Sequence, residues 1–209
     1  MYYIFDMDGT LIDSMPAYCG AMLRFLENHN ISYPEDIVKI ITPLGISGAA
    51  KYFIESLKAD ISADKIAQEV LQDMYTAYTT TIPAKEHVIE TVKKLKESGH
   101  SLSVLTASPH MTLDPCLKRL GIYELFDHVW SCEDFGTTKS DVKIYHEAAK
   151  RLGTTAENCI FLDDNCNAIT TAKKSGMTVY GVYDPSSEEY IEEMKEISHK
   201  YIYSFEELI

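Results

Sequence analysis

The chain is short of positive charge. Its 19 Lys and Arg residues face 32 Asp and Glu residues, and the formal net charge is −13 at pH 7. We expect neither nucleic acid nor a membrane surface as a partner, because Lys and Arg contacts with phosphates supply most of the affinity for both. A phosphorylated small molecule is not excluded, since a bound metal ion can reverse the electrostatic field at a single site.

Other features are missing as well. No apolar run reaches the length of a membrane span, and the chain begins with a strand pattern instead of a basic n-region. The five cysteines include no C-x-x-C pair, which is typical of reduced, buried thiols. With 45% hydrophobic residues the chain can build a proper core. We therefore expect a cytoplasmic protein that is a monomer or a weak homodimer.

Residues 14 to 82 have helical periodicity throughout. Ser14 and Ser62 are the candidate N-caps of the first and last helices of this region, and two shorter helices are predicted between them. Along the last helix, apolar residues recur at helical spacing and are expected to pack against neighbouring helices. They are Ile66, Val70, Leu71, Met74, Tyr75 and Tyr78.

After Pro83 the pattern changes to strands that alternate with helices. This alternation predicts an α/β fold in which helices cover both faces of a parallel sheet. The first strand, at residues 2–5, has the apolar, aromatic character of a buried strand in the same sheet. The helical region is therefore an insertion. We predict a discontinuous core of residues 1–13 and 83–209, and an inserted all-α domain of residues 14–82.

Several polar and charged residues follow predicted strands or precede a helix at the same sheet edge. They are Asp6, Asp8, Thr106, Ser108, Lys139, Asp163 and Asp164. Each is also typical of an ordinary turn or surface loop when taken alone. Together they lie where ligands bind in open α/β sheets, beyond the carboxyl ends of the strands. Clustered carboxylates favour a hard cation such as Mg²⁺, and a lysine with a hydroxyl offers what a phosphoryl group needs.

The D-x-D-G-T motif of residues 6–10, the strand-end Thr, the loop Lys and the acidic pair resemble, in this order, the haloacid dehalogenase-like phosphatases. The similarity covers essentially the whole chain and points to the group of phosphoglycolate phosphatases and β-phosphoglucomutases. It implies a Rossmann-like core with a helical cap formed by residues 14–82. It also implies Mg²⁺-dependent hydrolysis of a small phosphate ester.

By this resemblance, Asp6 is the nucleophile that forms an aspartyl-phosphate, and Asp8 is the general acid and then the general base. Mg²⁺ would be held by Asp6, the Asp8 carbonyl and Asp164. The resemblance also implies that Asp163 supports the metal, either directly or through water. Two carboxylates two residues apart would thus place the nucleophile and the proton carrier on one side of the substrate.

The resemblance further implies that Thr106, Ala107 and Ser108 bind the phosphoryl group, and that Lys139 neutralises it and positions Asp6. The chain departs from the family pattern at two places. The usual K-P-x-P-D loop reads K-S-D-V-K over residues 139–143, without either proline, and Ala168 stands where the acidic motif often has glycine. The loss of the prolines predicts a more flexible loop around Lys139.

Two alternative functions stay open. A sugar phosphomutase of the β-phosphoglucomutase type has a cap histidine where this chain has Tyr18, and an arginine that the stretch G-I-S-G at residues 45–48 lacks, so both differences favour hydrolysis. A catalytically silent protein that binds a phosphorylated ligand is the second alternative. A signalling receiver domain is excluded, because it is shorter, lacks an insertion and carries its acidic pair ahead of the phosphoacceptor. Residues 42–45 are the candidate loop that faces the leaving group.

Overall fold

The computed structural model describes the backbone of residues 1–209 and every side chain except that of Pro43. Its strands are β1 (Tyr2–Phe5), β2 (Ser101–Thr106), β3 (His128–Ser131), β4 (Cys159–Asp163), β5 (Thr178–Val182) and β6 (Lys200–Ile202). They form one sheet in the order β3-β2-β1-β4-β5-β6, and every neighbouring pair is parallel. The predicted α/β class with a parallel sheet is confirmed.

The register of the sheet brings three strand ends to the same height. Phe5 of β1 pairs with Val104 of β2 on one side and with Leu162 of β4 on the other. The central strand β1 is apolar because both of its faces are covered, and Ile4 and Phe5 are fully buried. The residues that follow these pairs therefore emerge next to one another at the carboxyl edge of the sheet.

The chain divides into two compact units, one of Met1–Asp13 with Pro83–Ile209 and the other of Ser14–Ile82. The second unit contains the helices α1 (Met15–Asn28), α2 (Ile37–Ile41), α3 (Gly45–Glu55) and α4 (Ala63–Thr80). The first unit contains the sheet and the helices α5 (Val88–Glu97), α6 (His110–Arg119), α7 (Lys143–Arg151), α8 (Cys166–Lys174) and α9 (Ile191–Ile197).

Within the helical unit, the last predicted helix begins as expected, since Ser62 Oγ accepts a hydrogen bond from the Lys65 amide at 3.4 Å. Ser14 precedes α1 but makes no capping bond through its side chain. The predicted packing stripe on α4 was wrong in part. Leu71 is 54% exposed and Tyr75 37% exposed, because the narrow buried face follows Ile66, Val70 and Met74 instead.

The stretch predicted as a loop at residues 42–45 is a short 3-10 helix, Thr42–Leu44, that leads into α3. The Pro43 side chain in it lies outside the described residues. In the other unit, the sequence H-V-W-S-C-E predicts a strand over residues 128–133, but β3 ends at Ser131. Ser131 Oγ accepts a hydrogen bond from the Glu133 amide, and Asp134 accepts one from the Ser131 amide. This reciprocal pair of bonds starts a 3-10 turn and ends the strand.

All five cysteines are free thiols, and Cys116, Cys132, Cys159 and Cys166 are buried. In the part of the chain that the structure describes, no helix combines the length and the apolar character that a bilayer crossing requires.

Candidate active site

The carboxyl ends of β1 and β4 place two carboxylates on either side of one ammonium group. Lys139 Nζ lies 2.7 Å from Asp6 Oδ1 and 2.7 Å from Asp163 Oδ2. All three side chains are largely buried. The loop before α7 thus brings Lys139 back to the end of the central strand, 133 residues along the chain from Asp6.

Asp6, Asp163 and Asp164 form a tight group, since one carboxylate oxygen of each lies within 4.8 Å of the others. Burial raises the pKa of Asp6 well above its usual value, and the neighbouring carboxylates add to the rise while Lys139 opposes it. Burial, followed by Asp163, raises the pKa of Asp164 to about 7. Buried oxygen ligands that repel one another fit a hard divalent cation, which would favour their ionised forms.

Lys139 remains an ammonium group despite its surroundings. Burial lowers its pKa, but Asp163 and Asp6 outweigh burial and hold the pKa of Lys139 well above the usual value. Both oxygens of Asp163 already have partners, because Oδ2 accepts from Lys139 and Oδ1 accepts from the Asn165 amide at 2.8 Å. Asp163 is therefore fixed by the Asn165 amide and in turn holds Lys139 in place.

Asp8 faces the end of β2 and is not one of the three clustered carboxylates. Its Oδ2 accepts a hydrogen bond from Ser108 Oγ at 2.6 Å. The Ser108 amide donates to Thr106 Oγ1 at 3.1 Å, and Thr106 itself is buried. Ala107 between them is exposed. The structure thus joins Asp8, Thr106 and Ser108 in one hydrogen-bonded network beside the carboxylate cluster.

Thr10 is a site residue that the sequence reasoning did not assign. Its Oγ1 donates to Asp164 Oδ1 at 3.1 Å and accepts from the Asp164 amide at 3.1 Å. The preceding residue, Gly9, has φ of +77°, and a Cβ there would stand 2.5 Å from Asp164 Oδ2. The last two residues of D-x-D-G-T, Gly9 and Thr10, thus hold Asp164 against the turn after β1. Their place in this motif was the sequence feature that could have identified them.

The loop around Lys139 is held without the prolines that the family pattern predicts. Tyr145 of α7 places its hydroxyl 2.8 Å from the Lys139 carbonyl and 3.1 Å from the Ala168 carbonyl. Asp141 Oδ1 accepts from the Lys143 amide at 3.0 Å, where α7 begins. Hydrogen bonds thus connect this loop to α7 and α8, and the flexibility that the missing prolines predict stays a prediction.

Comparisons with known proteins show what the chain is similar to. The model of the haloacid dehalogenase-like hydrolase family matches residues 3–182. A phosphorylated carbohydrates phosphatase of Thermotoga maritima is 26% identical over 180 residues, which cover 86% of this chain and 83% of that protein. A phosphoglycolate phosphatase of Colwellia psychrerythraea is 28% identical over 190 residues, which cover 86% of this chain and 82% of the relative.

Among solved structures, a putative β-phosphoglucomutase from Thermotoga maritima has a TM-score of 0.82 at 24% identity, covering 97% of this chain and 94% of its own. This likeness concerns the fold. The family model spans the strands β1 to β5, the inserted helices and all of the clustered residues described above. The chain therefore belongs to the haloacid dehalogenase-like hydrolases, and the two relatives named above are phosphatases.

Proposed function

We propose that the protein is a Mg²⁺-dependent phosphomonoesterase that acts on a small phosphorylated metabolite through an aspartyl-phosphate intermediate. The observation that supports this most directly is the contact of 2.7 Å between Lys139 Nζ and Asp6 Oδ1. An ammonium group in this position orients the Asp6 carboxylate and offsets the negative charge of an incoming phosphoryl group.

In the proposed reaction, the Asp6 carboxylate attacks phosphorus while the bond from phosphorus to the ester oxygen breaks. Asp8 donates a proton to the departing oxygen. Asp8 then takes a proton from a water molecule that attacks the phosphorylated Asp6, which releases inorganic phosphate and restores both carboxyl groups. The hydrogen bond from Ser108 Oγ to Asp8 Oδ2 orients this proton carrier.

The remaining site residues would bind the phosphoryl group and the metal. Thr106, Ala107 and Ser108 line the end of β2 and, together with Lys139, would hold the phosphoryl oxygens. The metal ligands would be Asp6, the Asp8 carbonyl and Asp164, with Asp163 in support. When bound there, Mg²⁺ would neutralise charge on the phosphate oxygens.

The substrate class rests on the relatives, whose names specify phosphorylated carbohydrates and phosphoglycolate. Both names denote phosphate esters of small organic molecules. We propose that the unit of Ser14–Ile82 is the cap that selects among such substrates.

The metal requirement is tested with an aryl phosphate as substrate. We expect excess chelator to abolish hydrolysis and Mg²⁺ to restore it. Ca²⁺ should inhibit, because it prefers more ligands and longer bonds and would misplace Asp6. Full activity in excess chelator would exclude the proposed mechanism.

The two opening aspartates are tested by trapping and by leaving-group dependence. Acid quenching should yield a phosphorylated peptide within residues 1–13, and the Asp6→Asn variant should yield none. Asp8→Ala should slow hydrolysis of an alkyl ester by on the order of 10²–10⁴-fold, and should slow formation of the phosphoprotein from an activated aryl ester much less. Equal losses for the two esters in single-turnover measurements would contradict the role of Asp8.

The same assay separates hydrolysis from the mutase alternative. A phosphatase releases one inorganic phosphate for each sugar phosphate consumed, whereas a mutase returns an isomeric sugar phosphate. Isomer formation without phosphate release would replace our proposal with the mutase.

A further inference from the structure

Lys85 lies just after the chain re-enters the sheet-containing unit, and its ammonium group has three oxygen partners. Lys85 Nζ is 2.7 Å from the Gly9 carbonyl, 2.5 Å from the Tyr183 carbonyl and 3.0 Å from Asp184 Oδ2. The Lys85 side chain is 18% exposed and that of Asp184 only 1%. An ammonium group has three donors, so these contacts use its full hydrogen-bonding capacity.

The three partners of Lys85 belong to two loops that meet at the candidate active site. Gly9 belongs to the turn after β1, which also carries Asp8, and Tyr183 and Asp184 follow β5. The Lys85 amide adds a fourth bond, to the Leu11 carbonyl at 3.0 Å. Lys85 thus ties the turn that bears the proton carrier to the end of a strand on the far side of β4.

The ion pair of Lys85 and Asp184 also affects the electrostatics of the candidate site. Asp184 is a buried carboxylate close enough to Asp164 to raise its pKa. Both oxygens of Asp184 are engaged, since Oδ1 accepts from the amide and the hydroxyl of Ser186 at 2.9 and 2.6 Å. Without Lys85, Asp184 would be an unpaired buried charge beside the carboxylate cluster, which is costly.

We propose that Lys85 is a positioning residue that holds the Asp8–Gly9 turn against Asp164 and cancels the charge of Asp184 beside the carboxylate cluster. This inference rests on the proposed function, in which the Asp8 carbonyl and Asp164 hold Mg²⁺. A purely structural ion pair would contribute to folding but would leave the turn and the metal affinity unchanged when both charges are removed.

The main variant is therefore the double substitution Lys85→Met with Asp184→Asn, which keeps the net charge. Neutral replacement of both members of a buried ion pair is often tolerated, whereas removal of one member leaves the other unpaired. The matched control is Lys96→Met with Asp127→Asn. Lys96 and Asp127 also form an ion pair, but at the opposite edge of the sheet, where Asp127 Oδ2 accepts from the Leu102 amide at the start of β2.

The first readout is amide hydrogen exchange of the peptide that covers residues 6–13, measured in metal-free protein. We expect about tenfold faster exchange in the Lys85/Asp184 double variant, because charge-assisted hydrogen bonds to the turn are lost. The second readout is Mg²⁺ affinity by calorimetry. It should weaken by about tenfold, because the lost hydrogen bonds no longer hold the turn that carries the Asp8 carbonyl. The Lys96/Asp127 double variant should match the wild type in both.

The single variant Asp184→Asn separates charge from position. It keeps the contacts of Lys85 with the two carbonyl oxygens, so exchange of residues 6–13 should stay near that of the wild type. Mg²⁺ affinity should still fall, because a positive charge is now uncompensated beside the metal ligands. Accelerated exchange in this variant would mean that the carboxylate, and not the lysine, holds the turn, and would overturn the proposal.

Wild-type exchange and wild-type Mg²⁺ affinity in the Lys85/Asp184 double variant would also overturn it. If that variant fails to fold, Lys85→Arg replaces it, since a planar guanidinium group keeps the charge but not the arrangement of three donors. Exchange in residues 6–13 should then still rise, and unchanged exchange would count against the proposal. Failure of the proposed function is distinguishable, because the wild type itself would bind no Mg²⁺.

Discussion

Gly9 shows how closely the site is packed at the scale of one residue. We predict that Gly9→Ala lowers kcat by about a hundredfold or more, because misplacement of a catalytic group by about 1 Å has an effect of this size. A Cβ at this position would stand 2.5 Å from Asp164 Oδ2 and 2.8 Å from Asp164 Oδ1, so Asp164 has to move. The measurement is kcat at saturating substrate together with the free energy of unfolding.

Gly99→Ala is the matched control. Gly99 has φ of +79°, close to the +77° of Gly9, but a Cβ there would meet nothing within 4 Å. Both substitutions should lower the free energy of unfolding by about 1–2 kcal/mol through backbone strain alone. Only Gly9→Ala should lower kcat. Equal kcat in the two variants would show that the turn after β1 adapts to a side chain.

The sequence identified those site residues whose role is indicated by their immediate neighbours in the chain. It missed those whose role depends on partners that are distant in the chain. Asp6 directly follows β1, Asp8 lies two residues further on and Thr106 is the last residue of β2, so their shared edge could be predicted from the carboxyl ends of the strands. Lys85 had no such signal. Its partners lie 76, 98 and 99 residues away, and nothing local distinguishes a buried lysine from a solvated one. Thr10 stood inside a recognised motif, but its bond to Asp164 depends on the strand register.

At the scale of the elements, the alternation of strands and helices could be predicted from the sequence, whereas the ends of the elements could not. Apolar runs predict strands at residues 2–5, 101–108, 128–133, 158–164, 177–184 and 201–205, and the described part of the chain has six strands at these places. The ends depend on side chains that bond to the backbone, as Ser131 and Asp134 do after β3. The sequence also predicts one helix over about residues 186–199, but residues Pro185–Tyr190 form a 3-10 segment and α9 begins only at Ile191. Such bonds are specific to each turn and are not visible in periodicity.

His110, the first residue of α6, links two of these elements. Its ring nitrogens lie 2.8 Å from Asp114 of the same helix and 2.8 Å from Asp134 in the turn after β3. Hydrogen bonds to Asp114 and then to Asp134 raise the pKa of His110. The charged imidazole is thus favoured in the folded state. Its stabilising effect is fully present below the pKa of the unfolded chain and is lost as the pH rises through the raised pKa.

We predict that His110→Gln lowers the free energy of unfolding more at pH 6 than at pH 8.5. The difference should be on the order of 0.5 kcal/mol, because the pair is partly exposed and solvent screens it. Urea unfolding at the two pH values measures it. In a double-mutant cycle with Asp114→Asn, the coupling should likewise shrink as the pH rises. A coupling that does not change with pH would contradict the assignment of the charged imidazole.

At the scale of the whole molecule, the two crossings between the units lie side by side in the sheet-containing unit. The Asp13 amide donates to the Pro83 carbonyl at 3.0 Å, and Ile12 pairs with Ala84 in an antiparallel bridge. The two chain segments that flank the insertion are thus already joined by hydrogen bonds. A short linker between them would close the chain at a small entropic cost.

We therefore predict that a variant with residues 14–82 replaced by a short Gly-Ser linker folds and keeps slow hydrolysis of small aryl phosphates. Its clustered carboxylates and Lys139 all belong to the unit that remains, so the groups that the chemical step needs are present.

If the helical unit is the cap that selects the substrate, the variant should lose discrimination among phosphorylated sugars and phosphoglycolate, since substrate-induced closure contributes to both specificity and exclusion of water. The ratios of kcat/KM across these esters measure the effect, with Asp6→Asn in the same deletion as the blank. An unchanged ranking of substrates would show that the helical unit takes no part in selection, while loss of aryl phosphatase activity in a folded deletion would place an essential group within residues 14–82.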